Sequence, residues 1–251
     1  MTLTAPGRQP ALTEQPRPAA ETLLDTRTGA VAIGTRAHGI PVRVPLWHDG
    51  TAVPLSITGD PGTGAERILR NLWAAEHACG LTRSLAAGDD LDPDEPHLDR
   101  CATTAQETRE LLAAVAEVAR ARRSAAVRFR PNGETPLLTL TLTGWSPFDA
   151  ATVALAAEVA RTGPAAGISL RIVHRRHVRA AYGSDALFAA MSRGTRIVLR
   201  STQPDIDLGD GPTTIPERDA GTGFLSTPRN RRARSPFCTW RADTPRSAEV
   251  T

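Results

Sequence analysis

Apolar residues along this chain recur with two different periods. From residue 30 to 44 they fall at every second position, Val31 and Ile33, then Ile40, Val42 and Val44, with Gly34 and His38-Gly39 between. That spacing predicts a β-hairpin. Trp47-His48-Asp49-Gly50 predicts a second turn, and Leu55-Ser-Ile-Thr58 a short buried strand. The period then becomes helical. Ile68, Leu69, Leu72 and Trp73 form one stripe of a helix over about 65–78, with Gly80 as its C-terminal stop. Thr104-Ala-Gln-Glu107 is a capping box that opens a helix to about Arg123, with Leu111, Leu112, Val115 and Val118 inward. The arginines at its end suit the helix dipole. Ala126-Val-Arg-Phe129 predicts a short strand, and residues 137–143, alternating leucine and threonine, a longer one. Ser146-Pro147-Phe148-Asp149 predicts a helix capped at Ser146, with proline at its first position, running to Arg161 and ended by Gly163-Pro164. A strand over 168–173, a short helix capped by Ser184 and a strand over 195–199 follow. Closing strands at Gly223-Phe-Leu-Ser and Phe237-Cys-Thr-Trp240 come after a Gly/Pro-rich loop over 201–221. Strands alternating with helices predict an α/β fold, a mostly parallel sheet with helices on both faces.

Periodicity fails at both ends. Residues 1–22, rich in Pro, Thr, Ala and Gln, read as a disordered lead; 23–241 read as one domain and 242–251 as a flexible tail. The length of 251 residues suits one substantial domain. Aromatics make up only 4%, so Ala, Val, Leu and Ile must fill the core. No lysine occurs, and all 30 basic residues are arginine, which points to a GC-rich genome. The net charge of +3 permits contact with an acidic surface without demanding it. Cys79, Cys101 and Cys238 are too few and too dispersed for a zinc site or a disulfide framework. No apolar run reaches the ~18 residues of a membrane span, and no signal-peptide core opens the chain. The expectation is a cytoplasmic protein. His38 and His48 read as turn residues. The acidic stretch from Gly88-Asp89-Asp90 to Pro96 lacks the spacing of a calcium loop and reads as solvated; no metal ligands are expected.

The candidate chemistry lies where the short strand meets the first helix, at Gly59-Asp60-Pro61-Gly62-Thr63-Gly64-Ala65-Glu66. Strand, glycine-rich turn and helix make the shape of a phosphate-binding loop, G-x-x-x-x-G-K-[ST]. Gly59 and Gly64 keep its spacing. Ala65 stands at the lysine position and Glu66 at the position of the magnesium-binding hydroxyl. The backbone N–H groups and the helix N-terminus of such a site remain, but its cation does not. Glu66 also has an ordinary reading, since acids are favoured in a helix's first turn. No catalytic residue and no cofactor are expected, with ATP and Mg as the alternative that the glycines leave. Two basic clusters, Arg175, Arg176 and Arg179 beside His174 and His177, and Arg229, Arg231, Arg232 and Arg234, are candidate nucleic-acid contacts; for each alone a solvated loop is the stronger reading.

With these elements in order, the chain resembles the motor domain of FtsK/SpoIIIE-type DNA translocases, P-loop ring ATPases with a RecA-like fold. The likeness spans about 30–240. Four stretches carry it: residues 54–69, 96–112, the run Ala160-Arg-Thr-Gly163-Pro-Ala-Ala-Gly167-Ile-Ser-Leu170-Arg-Ile-Val173, and Ser192-Arg-Gly-Thr195-Arg196-Ile-Val-Leu-Arg200. Ala220-Gly-Thr-Gly223-Phe-Leu is similar to the family's glycine-rich closing hairpin. The resemblance implies a P-loop NTPase fold, an ATP-dependent DNA translocase, ring self-association and DNA as partner. The departures fall on the catalytic positions. The family's Asp-Glu pair matches Thr143 and Gly144, followed by Trp145. Its sensing glutamine matches Arg175, and its turn arginine Pro164. A domain so changed is expected to bind rather than hydrolyse, as a partner of an active FtsK-like ATPase or an accessory factor. A divergent ATP-binding translocase and a DNA-binding module without nucleotide chemistry are the alternatives.

Overall fold

The computed structural model describes residues 17–124, 128–144, 149–199, 222–228 and 230–239. The first predicted hairpin is β2 (Ala30–Thr35) against β3 (Pro41–Pro45), with β1 (Leu24–Asp25) also on β2. A second, two-stranded hairpin joins β4 (Trp47–His48) to β5 (Thr51–Ala52), its turn formed by Asp49 and Gly50, both at positive φ. Then come β6 (Leu55–Thr58), α1 (Ala65–Cys79), β7 (Thr82–Ala87), β8 (Arg100–Ala102), α2 (Ala105–Ser124), β9 (Leu137–Leu142), α3 (Ala150–Thr162), β10 (Ile168–His174), α4 (Asp185–Met191), β11 (Thr195–Leu199), β12 (Thr222–Thr227) and β13 (Asn230–Thr239). No described helix is long and apolar enough to cross a membrane.

The main sheet has the order β1-β2-β13-β12-β11-β6-β10-β9-β7-β8. From β11 to β8 neighbouring strands are parallel; from β11 to β1 they are antiparallel. The expected mostly parallel sheet with helices on both faces is therefore present, extended by an antiparallel wing. The chain leaves β6 for β7 on one side and returns through β9 and β10 before placing β11 on the other side. β6 thus sits at the reversal of strand order, where open α/β sheets bind ligands beyond their C-terminal ends.

Helix α1 covers one face. Its stripe Ile68, Leu69, Leu72 and Trp73 packs with Leu55, Ile57, Ile197, Leu199 and the apolar side of β2 and β3. Helices α2, α3 and α4 cover the other face. There Leu111, Leu112, Val115, Ala156, Val159 and Leu187 pack on Leu140, Leu142, Leu170 and Ile172. The Thr104–Glu107 box caps α2 as expected, each residue bonding the other's backbone N–H.

Several expectations change. The cap of α3 is Asp149, whose carboxylate accepts from the Ala151 and Thr152 N–H groups, so the helix starts three residues later than a cap at Ser146 requires. Residues 145–148 lie outside the described part. No strand forms at Arg128-Phe129; Phe129 is buried with its ring against Gly167 instead. Strands β7 and β8 were not expected, because Thr82-Arg-Ser-Leu-Ala-Ala is short and weakly apolar. Residues 1–16 lie outside the described part, whereas Ala20–Thr22 form a helical turn and the Arg17 guanidinium donates to the Asn71 side chain on α1. Packed structure thus reaches into the stretch read as a disordered lead. The loop 201–221 and the tail 242–251 are outside the described residues.

Candidate functional site

The glycine turn is held at its base by the sheet. The Gly59 N–H donates to the His174 carbonyl at 3.1 Å, continuing the β6–β10 ladder one step past Thr58. The turn closes on itself through Thr63, whose N–H (3.2 Å) and hydroxyl (2.6 Å) both donate to the Asp60 carbonyl. Gly62 and Gly64 have φ of 76° and 111°, a region that side chains disfavour, so the glycines are needed for the path of the loop. Gly64 is the N-cap of α1, and no side chain caps that helix. The first-turn N–H groups of α1 are thus left to solvent or to an anion.

Around this turn the expected charges are missing. Ala65 is half-buried and packs its methyl group against the apolar core; Glu66 is exposed. Across the sheet edge, β9 ends at Leu142, and the next residue, Thr143, donates its hydroxyl to the Asp90 carboxylate at 2.5 Å. Gly144 follows, and a Cβ there would lie 2.4 Å from the Asp89 carboxylate. The stretch expected as a solvated loop therefore folds its first two acids against the end of β9, which the period of that loop could not reveal. Among the described residues, no group of three or more His, Cys, Asp or Glu side chains is placed to hold a metal ion.

The two arginine clusters fall in different places. Arg175 and Arg176 are exposed and follow His174, so they stand at the same sheet edge as the glycine turn. Arg179 is drawn off to Asp185 (3.5 Å) and lies over the Phe188 ring. Arg231, Arg232 and Arg234 fall in the backbone of β13, three strands away from β6 along the sheet, and Arg229 is outside the described residues. A strand over 230–239 replaces the expected loop at these positions.

Beneath the turn, on the α4 side, lies a polar cluster that the sequence reading missed. The Tyr182 hydroxyl meets Ser56 Oγ (3.0 Å), His174 Nε2 (3.0 Å) and His177 Nδ1 (2.5 Å). The Phe188 ring closes it. His174 Nδ1, His177 Nε2 and the neighbouring Thr58 hydroxyl are buried without a hydrogen-bond partner. Burial, with the Arg196 cation nearby, lowers the His174 pKa to about 4 and that of His177 to about 2, so both imidazoles are neutral at pH 7. In the sequence His174 and His177 stand only as neighbours of a basic run, and nothing in the spacing of Ser56 and Tyr182 joins them to it.

No family model and no curated protein matches the sequence. Solved structures do. The cytoplasmic domain of the type VII secretion ATPase EccC of Thermomonospora curvata aligns with a TM-score of 0.69 at 16% identity, over 92% of this chain and 28% of that one. The pCW3 conjugation coupling protein TcpA, solved with ATPgS, aligns with a TM-score of 0.73 at 14% identity, over 93% of this chain and 71% of that one. ATPases 2 and 3 of T. curvata EccC, in complex with a signal sequence peptide, give 0.65 at 14% identity, over 96% and 45%. The fold is that of a P-loop ATPase domain, as the FtsK/SpoIIIE-like reading required. Within that class it is similar to secretion and conjugation ATPases, and it spans less than a third of the first EccC structure.

Proposed function

We propose that this chain is an FtsK/SpoIIIE-like P-loop domain that has lost ATP hydrolysis and serves as a non-catalytic partner or accessory factor of a DNA-translocating or secretion ATPase. One observation carries this reading: the turn keeps its backbone path while the surrounding side chains no longer fit the chemistry. Phosphoryl transfer depends on a cation over the terminal phosphates, a held magnesium ion and an oriented water. Ala65 is a methyl group against the core. Glu66 sets an anion at the mouth. Thr143 is tied to Asp90, and Gly144 has no side chain to polarise a water.

The retained fold still offers surfaces for a second subunit, either a like copy or an active ATPase. A divergent, ATP-binding translocase is the second reading, favoured by the uncapped first turn of α1 and by Arg175 and Arg176 at the same edge. A DNA-binding module rests on the same arginines, and its binding would fall steeply with salt.

Melting the protein with and without millimolar ATP and magnesium, alongside a phosphate-release assay with DNA present, separates these. The non-catalytic reading expects no release, and it is overturned by release that a Gly64→Val change abolishes. A melting shift without release means that the loop binds nucleotide as a structural ligand, since a ligand of the native state must stabilise it.

A further inference from the structure

The Tyr182 cluster does something the glycine turn alone does not explain. One hydroxyl joins three separate pieces of chain: β6 through Ser56, the end of β10 through His174, and the connection that leads to α4 through His177 and Tyr182 itself. His174 also receives the Gly59 N–H on its carbonyl. The cluster therefore fastens the connection and α4 to the strand end from which the glycine turn springs. We propose that it is an acid-sensitive latch, and that protonation of its imidazoles releases segment 175–191 from the sheet and loosens the Gly59 turn with it.

The geometry leaves little room for a charged ring. A phenolic hydroxyl donates one hydrogen bond and accepts two. If Tyr182 donates to His177 Nδ1, it must accept from His174 Nε2–H, and both rings carry their proton on Nε2. If it donates to His174, both carry it on Nδ1. If it donates to Ser56 instead, it accepts from both His174 Nε2–H and His177 Nδ1–H; in every arrangement each neutral ring already spends one nitrogen on Tyr182. An imidazolium donates from both nitrogens, yet His174 Nδ1 and His177 Nε2 have no partner to receive a proton. Among the described residues, none of the groups shown against the rings is an anion free to take up a charged imidazole. β6 contributes Ser56 and Thr58, and α4 contributes the Phe188 ring, while its Asp185 pairs with Arg179. β11 contributes the Arg196 cation, which acts against protonation of both rings. Arg175 and Arg176, on the connection itself, are exposed cations.

The sign follows by linkage. The rings are neutral in the closed state and titrate near 6.5 once open, so the open state gains protons as pH falls below that value. Closure is complete above about pH 6.5 and weakens progressively below it. Between pH 7.5 and 5, the opening constant rises about 30-fold for each imidazole freed.

Hydrogen exchange of the full chain at these two pH values tests the latch, with rates expressed as protection factors so that intrinsic pH effects cancel. The expected result is protection lost by about 30-fold or more at pH 5 in 56–64 and 175–191, with α2 and β9 unchanged. A His174→Gln/His177→Gln variant should lose that pH dependence. Equal protection at both pH values, or the same pH dependence in the variant, overturns the proposal. Nitrogen-15 spectra of the unmodified protein give a second reading that does not depend on the variant folding. Two neutral imidazoles are expected at pH 7; a charged ring overturns it.

Discussion

The two faces of the parallel sheet bury polar groups in opposite ways. Under α1, Glu76 and Arg171 are ionisable, fully buried and paired: Arg171 Nη1 donates to Glu76 Oε2 at 3.1 Å, and Nη2 bonds the other oxygen. Ser84 (2.7 Å) and Thr139 (2.9 Å) add their hydroxyls to the same carboxylate. Under α4, Ser56, His174, His177 and Tyr182 gather around one hydroxyl with the imidazoles neutral. A buried charge is tolerated where a counter-charge and hydrogen bonds offset its loss of water, as here, although Arg171 Nε itself has no partner. Where burial strips away water and a cation such as Arg196 lies nearby, a titratable ring sheds its proton. The faces also differ in what surrounds the polar groups. Leucine and isoleucine from β9 and β10 meet α2 and α3, whereas threonines and Arg171 of the same strands meet α1.

The largest expected effect comes from breaking the charged pair. Glu76→Ala leaves the Arg171 guanidinium buried with no counter-charge and should lower stability by about 3–5 kcal/mol in denaturant unfolding. The double change Glu76→Leu/Arg171→Met should cost much less, and an equal loss in both would mean that shape, not charge, sets the cost. On the opposite face, Leu140→Ala opens a cavity between β9 and its helices, with an expected loss of about 2–5 kcal/mol. A loss well below that range would show this face to be loosely packed. The smallest effect is expected from Tyr182→Phe. It removes the shared hydroxyl and leaves Ser56 and both imidazoles short of a partner, at about 1–3 kcal/mol. A loss as large as that of Glu76→Ala would refute the distinction between the paired and the neutral cluster.

Much of the architecture was legible because it rests on local rules. The hairpin at β2 and β3, the stripe of α1 with its Gly80 end, the box that opens α2 and the strand–turn–helix at Gly59 to Glu66 all follow from period and capping. Misses arose where the local signal competes with context. Ser146 looked like a cap, but Asp149, joined by Arg109 at 2.7 Å, performs that role. Glu76 continues the inward stripe of Ile68 and Leu72 at the next four-residue step, yet a glutamate there reads as the end of the stripe. The alternation of leucine and threonine on β9 predicted a strand, and threonines as well as leucines on it are buried. Threonine is acceptable there because its hydroxyls serve Glu76, Trp73 and Asp90.

The sequence by itself determined most of the strands and helices, though not β7 and β8, and the loss of lysine, hydroxyl and acids at the turn, because period, capping and residue identity are properties of neighbours along the chain. Only the tertiary structure decided which distant groups share an environment. Glu76 and Arg171 are 95 residues apart, and Ser56 and Tyr182 are 126 apart. Their protonation and pairing depend on burial and on the nearest charge in space, which no run of adjacent residues encodes.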